Sequence, residues 1–223
     1  MARRLDRDSL RARIEAEYAA RGDRLGWRLL YSPEAVLDGA EVAFVGLNPG
    51  GDHAPPGHAE FAMPSGSAYL TESWSNDPAG KSPLQQQVSA LFDALGVQPE
   101  HVLAGNLIPF RSPSWSALRD KSGATRFGVA LWRDILDSAR PRLVIVLGRT
   151  AGDTLAGELG LRLAREERVE WGDVTAGVWE GADLRLIRLP HLSRFAIVGR
   201  RKSEPALARL FGEDWRKTTD RLI

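Results

Sequence analysis

Three side chains suited to chemistry stand at comparable places in the chain: Asn48 in GLNPGG (46–51), Asn106 opening NLIPFRSP (106–113) and His191 in PHLSRF (190–195). Each follows an apolar run, as a residue carried at a strand end would. The chain has no cysteine, which removes disulfides, thiol nucleophiles, iron–sulfur clusters and thiolate zinc sites and leaves oxygen and nitrogen chemistry. GLNPGG lacks the Lys and hydroxyl of a phosphate loop, and its glycines do not match a dinucleotide fingerprint, so no nucleotide cofactor is expected. No Gly-x-Ser-x-Gly elbow supplies a serine nucleophile. His53 and His58, with Asp52 beside them, sit in a Pro-Pro-Gly loop rather than at a helical i, i+4 spacing, so no metal site is expected. Each of the three also has a plainer reading: Asn-Pro-Gly makes a good turn, Asn106 can cap a strand end, and a lone histidine is more often a satisfied core residue. Those separate readings leave the shared position unexplained.

The elements that would bring these residues together are four apolar runs, VAFVGL (42–47), HVLAGN (101–106), RLVIVLG (142–148) and LRLIRL (184–189). Helical patterns lie between them. Ser82 can cap a helix that opens with Pro83 and continues LQQQVSALFDAL, while RFGVALWRDILDSAR precedes the third run and RTAGDTLAGEL follows it. The alternation predicts an α/β fold, three-layer α/β/α, with a central four-stranded, mostly parallel sheet. REERVEWGDVTAGVWEGADLRLIRL alternates polar and apolar residues around Gly-rich turns, compatible with a small antiparallel hairpin at an edge. In open parallel sheets ligands bind beyond the carboxyl ends of the strands, and GLNPGG, NLIPFRSP, GRT (148–150) and PHLSRF all fall there. The Gly-, Pro- and Ser-rich stretch 51–81 lacks periodicity and reads as a functional or disordered loop.

The length of 223 residues suits one domain, 1–223, with a basic amphipathic helix at 8–21 appended in front. That start lacks the apolar core of a signal peptide, and no run is long enough to span a bilayer, so a cytoplasmic protein is expected; it is also expected to be a monomer. The net charge is only +1, yet Arg185, Arg188, Arg194, Arg200, Arg201 and Lys202 occur between Leu184 and Ser203 without one acidic residue. Such a run suits a polyanion, or else a solvated face balanced by acids elsewhere in space.

In their order along the chain these strand exits resemble the uracil-DNA glycosylase superfamily. GLNPG (46–50) is similar to the Gly-x-Asn-Pro-Gly motif of its mismatch-specific and single-strand-selective branches, HLSRF (191–195) to a variant of the His-Pro-Ser-Pro motif, and VIVLGRTAGDTL (144–155) to a strand and helix found in several branches. The resemblance implies hydrolysis of the bond between deoxyribose and a uracil or related deaminated base in DNA, single- or double-stranded, with no cofactor. Asn48 would then hold the attacking water and His191 would donate to the departing base. Gly46 and Leu47 would line the base site, Asn106 would read the base edge, and Phe61, thirteen residues after Asn48, would stack on the base. Ser193 would sit near a DNA phosphate, with Arg194 and Phe195 in the wedge loop; on charge alone, Arg200, Arg201 and Lys202 are expected to contact the DNA backbone as well.

HLSRF departs from the family pattern, with Leu192 and Arg194 where prolines often occur, and this predicts a less rigid loop. Two other readings stay open: a nucleic-acid-binding domain that keeps the pocket without turnover, and a nucleoside or small-metabolite hydrolase using the same sheet edge.

Overall fold

The computed structural model describes residues 5–54 and 57–216; Pro55 and Pro56 of the long loop lie outside them. The four apolar runs form parallel strands β1 (Val42–Gly46), β2 (Leu103–Asn106), β3 (Leu143–Leu147) and β6 (Arg185–Leu189). The hairpin is real and larger than expected. Strands β4 (Arg162–Arg168) and β5 (Thr175–Glu180) join the same sheet, because β5 pairs antiparallel with β6, and the order is β2-β1-β3-β6-β5-β4. The sheet therefore has six strands rather than four. Its free edge β4 reads RLAREER and is charged and exposed, which discourages pairing with another chain.

Alternating side chains along the parallel strands feed two core layers. Ala43, Val45, Leu103, Val144, Val146 and Leu186 pack beneath α1 (Arg7–Arg21), α4 (Lys121–Ala139) and α5 (Arg149–Glu158). Val42, Phe44, Ala104, Ile145, Ile187 and Leu189 pack on the other face beneath α3 (Pro83–Leu95) and α6 (Glu204–Phe211). Burying each Val, Leu, Ile or Phe among them contributes roughly 1.5–3 kcal/mol. The fold is thus a three-layer α/β/α sandwich. Helix α4 starts five residues before its apolar pattern does because Asp120 caps it, its side chain accepting from Gly123 N at 3.0 Å.

The stretch 51–81 is more ordered than its composition predicts. It carries a short helix, α2 (Ala68–Thr71), and Met63 N donates to Ser32 O while Leu30 N donates to Phe61 O. The capping-box residue Gln85 at the start of α3 also donates to Ala68 O and Glu72 O at 3.1 and 2.7 Å. Those bonds satisfy backbone groups that a buried loop would otherwise strand. On the far side of β2, residues 27–32 run antiparallel to it, with bridges Leu30↔Gly105 and Trp27↔Phe110. The segment between α1 and β1 thus shields the β2 edge.

Candidate active site

Strands β1 and β2 end side by side, Gly46 opposite Asn106. The pairing continues beyond them: Leu107 N donates to Gly46 O and Ile108 N to Leu47 O, both at 2.9 Å, and Ser112 N to Pro49 O at 3.0 Å. GLNPGG and NLIPFRSP are therefore zipped together at the carboxyl edge. Asn106 shares strand parity with Ala104, and Gly46 with Phe44, so both belong to the α3/α6 face; His191 follows Ile187 and Leu189 of that layer. From Asn106 to His191 the edge crosses β1 and β3, three interstrand steps of about 4.8 Å or about 14 Å in all. Between them β3 exits at Gly148, where an added Cβ would meet no atom within 4 Å. The Cβ position of Gly148 is thus open, between exits that carry polar groups.

Asn106 is only 6% exposed. Its Nδ2 donates to Tyr31 Oη at 2.8 Å, and its main-chain oxygen accepts from Trp132 Nε1 at 2.7 Å. Its Oδ1 accepts from no described residue, and a Cβ on Gly46 would overlap that oxygen. Tyr31 is itself held from behind: the Arg28 guanidinium lies 4.4 Å from its ring centroid, and Arg28 is clamped by both Glu72 oxygens at 2.8 Å. Trp74 Nε1 donates to the same carboxylate at 2.9 Å. Burial alone would raise the Glu72 pKa, but the hydrogen bonds and charge of Arg28 outweigh it and leave it lowered. Tyr31, Tyr69 and Trp74 stand with centroids 5.2–5.7 Å apart, an aromatic wall beside the amide.

Asn48 is half-buried, and its Nδ2 donates to Pro49 O at 3.0 Å, which leaves Oδ1 without a donor among the described residues. His191 Nδ1 lies 2.8 Å from Ser193 Oγ, and Nε2 has no partner among the described residues. The ring is open to solvent yet crowded by surrounding protein; this desolvation, and secondarily the Arg194 charge, lowers its pKa. The HLSRF loop is firmer than its missing prolines predict. Arg194 N and Phe195 N both donate to His191 O, at 2.9 and 3.1 Å, and Leu192 is fully buried in the α3/α6 layer. Gln87 on α3 pins the continuation, bonding Val198 N at 2.9 Å and Val198 O at 3.1 Å. An apolar anchor does here what a fixed proline φ would do.

Other expected residues lie elsewhere. Phe61 is 3% exposed in the opposite core layer, its ring covered by the Arg11 guanidinium at 4.6 Å, so it does not face the Asn106 side of the sheet. Leu47 also packs toward that layer. Phe195 is half-buried with its ring edge-on to Trp171 at 6.1 Å rather than projecting as a wedge. Arg200 bonds Glu170 O and Ser203 Oγ and covers Trp171, so the tip of the β4–β5 hairpin supports this loop. Of the basic run, Arg185 pairs with Asp214, while Arg188 is buried, bonded to Asp153 and Glu166 at 2.8 and 2.6 Å. Arg194, Arg201 and Lys202 remain exposed, with no acidic partner among the described residues. Among the described residues no three His, Asp or Glu side chains gather at a common point; His53 and Asp52 form an exposed pair at 2.7 Å. Sequence reading passed over Tyr31, Arg28 and Gln87, and the only signal for them was proximity in space.

The profile of the uracil DNA glycosylase superfamily matches residues 33–213 of the 223-residue chain. No curated protein matches it. The matched span contains β1 through β6 and all three polar strand exits, and the chain belongs to the uracil DNA glycosylase superfamily.

Proposed function

We propose that the protein is a monofunctional DNA glycosylase that removes uracil, or a related deaminated base, and leaves an abasic site. The observation that carries this reading is the convergence of Asn48, Asn106 and His191 at one sheet edge around the clear exit at Gly148. Asn106 Oδ1 accepts the ring N–H of an extruded base, and the second Nδ2 hydrogen serves the neighbouring exocyclic oxygen. Cytosine reverses that pattern and is rejected. The wall of Tyr31, Tyr69 and Trp74, rather than Phe61, offers the stacking surface.

As the bond to the sugar breaks, its electron pair leaves with the base and positive charge builds on the sugar. His191 donates to the oxygen that becomes anionic, an interaction strongest in the transition state. With Ser193 donating its hydroxyl to Nδ1, the neutral ring carries its proton on Nε2. Asn48 Oδ1 orients the water whose oxygen joins the sugar carbon, and the water's proton passes to solvent or the released base. None of the four strand exits contains a lysine, so no amine there competes with water and no lyase step is expected. The test is incubation with single- and double-stranded oligonucleotides bearing uracil, xanthine or hypoxanthine, scoring alkali-labile sites. Binding without release from any substrate would sink the enzyme reading.

A further inference from the structure

The strand exits are basic on both sides, and the second side belongs to no motif. A cleft of about 310 Å³ opens beside GLNPGG, lined by Gly22, Arg24, Arg111, Ser112 and Arg119. It forms between residues 22–25 just after α1, which precede the matched span, and the loop after β2. Arg111 N donates to Gly26 O at 3.0 Å and its guanidinium to Gly50 O, which fixes the cleft against the Asn48 loop. The guanidinium is underused: its Nε is buried with no partner among the described residues, and burial lowers the Arg111 pKa.

Charge in the cleft is uncompensated. Arg24 and Arg119 are exposed, and neither they nor Arg111 pair with a carboxylate among the described residues; Arg119 donates only to Gly22 O at 3.2 Å. The one acid in the lining, Asp23, is neutralised by Arg21 at 2.8 Å. Arg24 and Arg119 are exposed donors on this cleft and Arg111 adds its charge beside them, which makes an anion site, and planar guanidinium donors suit phosphate oxygens.

We infer that this cleft binds backbone phosphate of the DNA strand that carries the target base. The inference rests on the DNA reading above and extends it. The cleft borders β2, whereas Arg194, Arg201 and Lys202 follow β6, three interstrand steps of about 4.8 Å away. Along the sheet alone that is about 14 Å, and the cleft is offset further toward the α1/α4 layer, so the two basic patches stand at least four nucleotides apart at about 3.4 Å each and hold one strand on either side of the extruded base. A nucleotide held at both ends is pre-oriented for extrusion between them.

Fluorescence anisotropy of a labelled single-stranded oligonucleotide, titrated across salt concentrations, tests this with the double variant R24A/R119A, which leaves Arg111 and the Asn48 loop intact. The salt dependence becomes shallower by about one to two phosphate contacts and affinity falls about tenfold or more, while R24K/R119K retains most of both. An unchanged slope in R24A/R119A, or a wild-type protein that binds no DNA, overturns the inference. So does displacement of the labelled oligonucleotide by inorganic phosphate or a free deoxynucleoside monophosphate at the oligonucleotide's own concentration, because that marks a small-anion site. A wild-type protein that binds DNA with the expected slope and loses it in R24A/R119A, yet releases no base, supports the cleft and removes only the glycosylase reading.

Discussion

Gly46 and Asn106 face each other across the β1–β2 ladder at a separation that leaves no room for a Cβ on residue 46. The glycine in GLNPGG is thus less a turn residue than the space into which a neighbouring strand's amide fits. Gly46→Ala must displace Asn106 or part the strands. Overpacking of this kind costs about 1–3 kcal/mol, and a shift of about 1 Å in a positioning group can lower kcat/KM about a hundredfold. Adding Asn106→Ala removes the overlap, so the double variant should regain thermal stability without regaining base release. Additive losses of Tm in the pair would refute the steric account.

Tyr31 holds the Asn106 amide in one orientation through the 2.8 Å bond from Nδ2. Tyr31→Phe strands that hydrogen at a site only 6% exposed, at a cost of about 1–3 kcal/mol. The amide can then flip, exchanging the pattern that fits uracil for the one that fits cytosine. Inhibition by the free bases reads this directly: the preference for uracil over cytosine should fall about tenfold, the equivalent of about 1.4 kcal/mol. An unaltered preference would mean that Tyr31 only fills space.

His191 has a pKa lowered from 6.5 by desolvation and by Arg194. A lowered pKa keeps the ring neutral to more acid pH, so kcat/KM should stay level as pH falls through 6.5 and bend only below it. Arg194→Ala removes the smaller cause and should move the bend upward toward 6.5. The sign for stability is parallel: between the native pKa and 6.5 the unfolded chain binds the extra proton, so stability rises with pH across that window. Ser193→Ala should reduce kcat more than KM, because Nε2 then shares its proton with Nδ1. A bend above 6.5 in the wild type would contradict the neutral donor.

The parallel strands and their polar exits were legible because short continuous apolar runs, helix caps and glycines are local signals. Pairing is not local. The hairpin's alternation and its place at an edge were readable, but not that its strands would run seven and six residues and bring the sheet from four strands to six. Phe61 was chosen by spacing from Asn48, and spacing through a loop carries no information about which face of the sheet a ring reaches. The basic run likewise hid its partners: Asp214 for Arg185, and Asp153 and Glu166 for Arg188. HLSRF looked loose because proline is visible in sequence, whereas the burial of Leu192 and the grip of Gln87 exist only after folding.

The Arg28–Glu72 pair ties the segment before β1 to the aromatic wall, and it sets an acid limit. Arg28 is 3% exposed and Glu72 24%, so the pair is nearly dry on one side only. Glu72→Gln leaves a buried guanidinium without its counter-charge; about 3 kcal/mol is expected, the low end for breaking a buried pair because Glu72 is part-solvated and Arg28 keeps its bond to Leu30 O. The folded Glu72 pKa is lowered from 4.5, so the pair's stabilisation is fully present above pH 4.5 and is lost as pH falls through the native value. Urea unfolding followed from pH 7 to 3 should therefore show wild type and E72Q differing at neutral pH and converging in acid. A difference that persists unchanged at pH 3 would assign the loss to packing rather than to charge.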